Sequence, residues 1–316
     1  MPTAAAHRNR ILIAFACVYF LWGSTYSAIR IAGEHIAPPL VGAIRSLFST
    51  IIICIICTMR GASLRVPFRI AWRLALVGTL FMTVNNVLLI WGETKVASGL
   101  SSLIIAMIPI FVAVIETALP GGERLNLRGW TGTLLGAFGM LVLLWPTLHR
   151  TGGTERRSLA GFLILIAAGL AFAVGSVLSR RFHFHVDTFV ATAWQLGFAG
   201  ILNAILALAG GTLHTARFST QGIAAILYLS IFGSVVGLTA YTFLLQHVPV
   251  TKVATYAFVN PVVAVLIGIT FLGEHLVPTE IGGMLLILVS VATVILSRTK
   301  VSPAPSDPLL EVPIEE

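Results

Sequence analysis

Few side chains in this sequence can do chemistry, and most of them interrupt long apolar runs. Trp22, Ser24, Thr25 and Tyr26 stand together, Asn85 and Asn86 are adjacent, and Ser98, Ser101 and Ser102 share one run. Ser176, Tyr241, Thr255, Tyr256 and Asn260 follow in the second half. Hydroxyls, amides and ring faces of this kind make a wall that suits an amphipathic organic solute, and aromatic faces can also hold a cation. A polar group facing lipid is costly, so these residues are expected against a partner helix or a watery cavity. Adjacent helical residues point about 100° apart. One of Asn85 and Asn86 is therefore expected to line the cavity and the other to bond a neighbouring helix. The serines have a plainer use as well, since small residues let helices approach closely.

Charges inside the runs are scarce. Arg45 lies about two turns into the second run, with Glu93 and Glu34 as its expected partners at an outer gate. The alternative is that its guanidinium snorkels to the headgroups. Glu116, near the end of the fourth run, is placed either to couple protons or simply to reach the interface. Arg45, Glu93 and Glu116 are thus the gating or coupling candidates. Pro109 and Pro261 each lack a backbone donor and free a carbonyl one turn earlier, near Ala257 in the second case. Both are expected to kink their helices and give the chain a place to bend.

Other chemistry finds little support. No histidine, aspartate and glutamate cluster falls inside a run, no serine at depth has a basic partner, and no glycine loop with a lysine cradles phosphate. Cys17, Cys54 and Cys57 read as packing residues. Neither an enzyme nor a cofactor is expected, nor is a channel with a ring of charge.

The elements that must position these residues follow from composition. Of 316 residues, 57% are hydrophobic and 10% charged. About ten runs reach membrane-spanning length, at roughly 11–33, 39–58, 71–92, 97–119, 129–146, 158–179, 187–209, 221–245, 251–273 and 279–297. Such continuous apolar stretches mean helices, since barrel strands would alternate. The first run follows Arg8 and Arg10, and its length favours a retained helix over a cleaved signal.

The two halves resemble each other. Val96–Glu123 passes through Pro109 to a Gly-Glu pair, and Val248–Glu274 does the same through Pro261. Trp22–Arg30 matches Phe172–Arg180 in shape: an aromatic residue, small residues, then a base. Five spans per copy would set the copies oppositely in the bilayer, the architecture of a secondary transporter. The expected division is a polar arm at 1–10, a first repeat at 11–146, a connecting loop at 147–157, a second repeat at 158–298 and a disordered, proline-rich tail at 299–316. Glu123 and Glu274 end equivalent helices and suggest packing or capping. Lys and Arg concentrate on one set of loops, so the formal charge of +8 reports topology, with both termini cytoplasmic, and not nucleic-acid binding. Trp72, Trp91, Trp130 and Trp145 fall at boundaries, while Trp22 and Trp194 fall inside and are candidates for a cavity wall.

These residues resemble a known family. Trp22-Gly23-Ser24-Thr25-Tyr26, Pro38-Pro39 with Arg45, and Val96–Leu100 are similar to EamA-type transporters of the drug/metabolite transporter superfamily. Phe232–Val236, Ala240-Tyr241 and Ala254–Val265 with Asn260-Pro261 look most like the YedA branch of bacterial inner-membrane members. The resemblance implies two inverted five-helix repeats and a central cavity lined by spans one, three, four, six, eight and nine. It suggests export of small metabolites, amino acids or amphipathic drugs from a multi-pass position in the inner membrane. Uptake or exchange by the same fold, and a non-transporting scaffold, are the alternatives. The expected partners are a small-molecule substrate and the lipid bilayer, with a monomer as the working unit and a homodimer as the alternative.

Overall fold

A computed structural model describes residues 4–34, 36–120, 122, 125–149, 155–248, 253, 256–273 and 278–297. The chain is an all-α polytopic membrane protein built from two repeats. The helices are α1 (His7–Gly33), α2 (Pro38–Met59), α3 (Phe68–Glu93) and α4 (Ser98–Ala118). After them come α5 (Leu127–His149), α6 (Glu155–Arg181), α7 (Thr188–Ala209) and α8 (Thr220–His247). The last two are α9 (Tyr256–Leu272) and α10 (Pro278–Ser297). The polar arm is helical from Ala4, continuous with α1. Thr255, Glu123 and Glu274, residues 150–154 of the 147–157 connection and the 299–316 tail lie outside the described residues.

Local chemistry explains where helices start and stop. Pro38 and Pro39 open α2, where a missing N–H costs nothing. The Asp187 carboxylate accepts from the amides of Phe189 (2.9 Å) and Val190 (3.3 Å) to cap α7. Gly61 after α2 and Gly211 after α7 take φ of +66° and +63°, a left-handed exit that favours glycine. The two repeats therefore end their second helices in the same way.

Large apolar side chains such as Phe20, Ile51, Leu134, Phe138 and Phe271 stand exposed on the outer surface, as a lipid-facing protein requires. Inside, helix packing shows the duplication. The main pairs are α5–α10, α2–α7 and α4–α9, together with α1–α9 and α4–α6, α1–α8 and α3–α6, and α2–α8 and α3–α7. Exchanging every helix for the one five positions later returns the same set. The α5–α10 seam is lined by Gly129, Gly132, Gly136 and Gly139, each close to an α10 side chain, and Ser290 donates to the Gly132 carbonyl at 2.5 Å.

Polar contacts at depth also join the halves. Asn203 on α7 is fully buried and donates to the Met82 carbonyl of α3 at 2.9 Å. Interhelical bonds in membranes average about 0.6 kcal/mol and reach about 1.7. Asn203→Ala should lose about 1 kcal/mol, within that range, measured as a shift in the denaturation midpoint of the detergent-solubilised protein. An unchanged midpoint would mean that the bond contributes nothing.

Among the described residues three helices contain π-helical turns: Cys17–Leu21 in α1, Thr79–Asn85 in α3 and Leu229–Leu238 in α8. Those in α3 and α8 occupy equivalent helices of the two repeats. Such turns occur frequently at functional sites. The two prolines act differently. α4 breaks at Ala106-Met107, and Pro109 sits in the first turn of the following segment. Pro261 lies inside α9, which runs on through it.

Candidate functional site

A cavity lies beside the π-helical turn of α3 and the α4 break. Trp22, Thr25, Tyr26 and Ile29 of α1 form one wall, and Met82, Asn85, Asn86 and Leu89 of α3 another. Arg45 enters from α2, Ile105 and Ile108 from α4, Phe172 from α6 and Tyr256 from α9. The cavity volume is about 60 Å³, enough for a few waters. Both repeats contribute to it.

An aromatic cluster stands behind this wall. The Trp22 ring lies 4.9 Å from Tyr241, 5.7 Å from Tyr256 and 5.8 Å from Phe172. Phe81 packs on Phe172 at 4.7 Å. The indole Nε1 of Trp22 donates to the Gly233 carbonyl at 3.0 Å. Gly237 leaves the room for that ring, since a Cβ there would fall 2.3 Å from Nε1. Trp22 and Phe172 are the residues matched by the internal repeat, and here they meet edge to face.

Of the residues singled out in the sequence, Trp22, Thr25, Tyr26, Asn85, Asn86, Tyr256 and Arg45 border the cavity. Others do not. Ser24 bonds the Tyr228 hydroxyl at 2.6 Å, and Ser176 bonds the Tyr241 hydroxyl at 2.9 Å, so these tie helices together. Ser101 and Ser102 donate to the carbonyls of Ala97 and Gly99 within their own helix. Ser98 and Asn260 are buried away from the lining. Trp194 donates to the Leu64 carbonyl at 2.9 Å and does not border the cavity whose wall it was expected to join.

Two expectations change for physical reasons. Asn85 and Asn86 both border the cavity, because an arc of about 100° between neighbours still lets one broad helix face present both. Asn85 also donates to the Ala168 carbonyl of α6 at 3.0 Å. Arg45 does not pair with Glu93 or Glu34. Its Nε donates to Ser234 of α8 at 2.7 Å, because the side chain turns inward between α2 and α8. Arg45 thereby brings α2 into the lining, whereas α8 supplies second-row support through Ser234 and Tyr241. Glu93 is buried at 2% exposure near the end of α3. Glu116 pairs with Arg181 at 3.4 Å, and Arg181 also donates to the Pro120 carbonyl. That pair links α4 to α6 at the same end of the bundle where Arg60 approaches Asp187 at 3.9 Å.

Met82, Leu89, Ile29, Ile105 and Ile108 line the cavity without any signal in the sequence, being apolar residues in apolar runs. Phe172 did carry one, through its alignment with Trp22.

The EamA-like transporter family model matches residues 9–145 and again 159–296. The chain belongs to the EamA-like transporter family. Among relatives, it is 30% identical over 286 residues to the "Uncharacterized inner membrane transporter YedA" of Escherichia coli (strain K12), covering 90% of each chain. It is 25% identical to the "Uncharacterized transporter YvbV" of Bacillus subtilis (strain 168), covering 91% of each. It is 27% identical to "Protein PagO" of Salmonella typhimurium, covering 81% of this chain and 83% of that one. A solved crystal structure superposes with a TM-score of 0.66 at 20% identity, over 92% of this chain and 98% of that one, a likeness of fold. The duplicated EamA match falls on the two sets of five helices whose packing repeats.

Proposed function

We propose that this EamA protein carries a small amphipathic organic solute across the bacterial inner membrane by alternating access. The observation that carries the proposal is the mainly apolar, aromatic-walled cavity with a few polar groups where the two repeats meet. Asn86 Oδ1 and the Tyr256 hydroxyl are buried without a hydrogen-bond partner, a cost of roughly 1–3 kcal/mol each unless a solute or water completes them. The halves 11–146 and 158–298 rock against each other, and the Pro109 break and the π-helical turns give the lining helices room to bend. The Arg and Lys bias of the loops supports cytoplasmic termini. On that topology the Glu116–Arg181 and Arg60–Asp187 pairs close the cytoplasmic end and must part when it opens. Export is the favoured direction by resemblance to the family, and YedA, an inner membrane transporter by name, supports the compartment.

The test is flux into proteoliposomes with a panel of acidic, neutral and cationic amphipathic solutes, with and without a pH gradient. Saturable flux is expected for at least one solute class. Thr25→Val and Asn86→Leu should each lower kcat/KM for it by about tenfold, as expected when a buried polar group loses its partner. Flux unaltered in both folded variants would remove the cavity from the route. A response to the pH gradient would bring Glu116 and Glu93 forward as coupling groups.

A further inference from the structure

Arg45 is buried at 4% exposure inside the second membrane-spanning helix. Among the described residues its guanidinium makes one hydrogen bond, from Nε to Ser234, and no carboxylate pairs with it. A guanidinium carries five N–H donors, so most of its capacity is unspent. A charge taken out of water without a counter-ion is costly, and snorkelling would have relieved that cost. The side chain is instead held in place. Ser234 fixes Nε, and Gly233 makes room for the fork, since a Cβ there would lie 2.9 Å from Nη2. The same cavity wall holds Asn86 and Tyr256, 3% exposed each, whose side-chain oxygens have no partner.

A fixed, planar cation beside the unspent Tyr256 hydroxyl, which can donate, matches a carboxylate, which the guanidinium can grip through two parallel N–H bonds. The rings of Trp22, Phe172 and Tyr256 supply a surface for an apolar body. We propose that Arg45 is an anion anchor and that the cavity, which holds only a few waters in this conformation, widens to take an organic monocarboxylate with an apolar or aromatic body. The claim about binding stands on the cavity alone; the claim that this solute is the cargo rests on the transport reading above.

The experiment is a thermal-shift titration of the full-length protein in detergent with phenylacetate, hexanoate, phenylacetamide, hexylamine and phenyl phosphate. The two carboxylates should raise the Tm in a saturable way, and the amide and the amine should not at equal concentration. Arg45→Gln should abolish the shift. Arg45→Lys, which keeps the charge and loses the planar fork, should weaken it by about tenfold or more, and it covers the case in which Arg45→Gln fails to fold. Equal shifts for carboxylate and amide, or an undiminished carboxylate shift in Arg45→Lys, would overturn the anchor. A stronger response to phenyl phosphate would overturn the carboxylate assignment. Flux separates the two proposals. Saturable transport of neutral or cationic solutes without carboxylate binding would sink the anchor and leave transport standing. Arg45-dependent carboxylate binding with no flux of any solute would do the reverse.

Discussion

Gly78→Ala should cost the protein about 3 kcal/mol, the upper part of the overpacking range, and sharply lower the yield of folded material. A Cβ at Gly78 would lie 2.3 Å from the Gln195 carbonyl oxygen, 2.6 Å from its Cα and 2.7 Å from its carbonyl carbon. All three are backbone atoms, so no rotamer change relieves the contact and α3 must move off α7. That movement strains the Asn203–Met82 bond and the 3.4 Å bond from Thr83 to the Ala199 carbonyl. Alanine's better helix propensity returns only about 1 kcal/mol. The check is the denaturation midpoint and the monodisperse yield in detergent, with Gly282→Ala as the control because nothing lies within 4 Å of a Cβ there. Equal behaviour of the two variants would contradict the α3–α7 contact.

Trp22→Ala should cost on the order of 3 kcal/mol, as large-to-small changes of buried aromatics do, and should also abolish flux. The indole touches rings from α6, α8 and α9, and its Nε1 bonds a fourth group in the α8 π-helical turn. Trp22→Phe keeps much of the ring contact and loses the bond to Gly233, about 1 kcal/mol. A double-mutant cycle with Tyr241→Leu measures the coupling, expected at about 0.5–1.5 kcal/mol for an aromatic pair. Additive effects would mean that the two rings do not act together. A Trp22→Ala variant that is destabilised yet transports as wild type would confine this residue to a structural role.

Much of the architecture was legible because membrane helices announce themselves by length and continuous apolarity. The expected spans 39–58 and 187–209 differ from α2 and α7 by a residue at most. The repeat was legible too, and it alone pointed to Phe172. What stayed hidden depends on which face of a helix meets which neighbour. A helix surrounded by lipid on one side and apolar partners on the other has no strong polar face to orient it, so Ile29, Met82 and Leu89 look like their neighbours. The π-helical turns left no mark in the sequence either. Charge complementarity suggested an acid for Arg45, and the guanidinium found a serine hydroxyl and a cavity instead. The prolines were visible as breaks, but whether a helix parts, as at Ala106-Met107, or continues, as through Pro261, depends on packing that sequence does not record.

The π-helical turns in α3 and α8 have a consequence for motion. Each holds slack within an otherwise continuous rod, and slack of this sort can slide along a helix by exchanging one carbonyl partner for the next. Sliding swivels one half of the rod relative to the other while nearly every backbone bond stays made. Asn85 and Asn86 sit at the end of one such turn, and Gly233 and Ser234, the supports of Trp22 and Arg45, sit within the other. A swivel in either rod would therefore re-aim the cavity's polar groups together, and the two equivalent rods give each half of the molecule its own way of doing so.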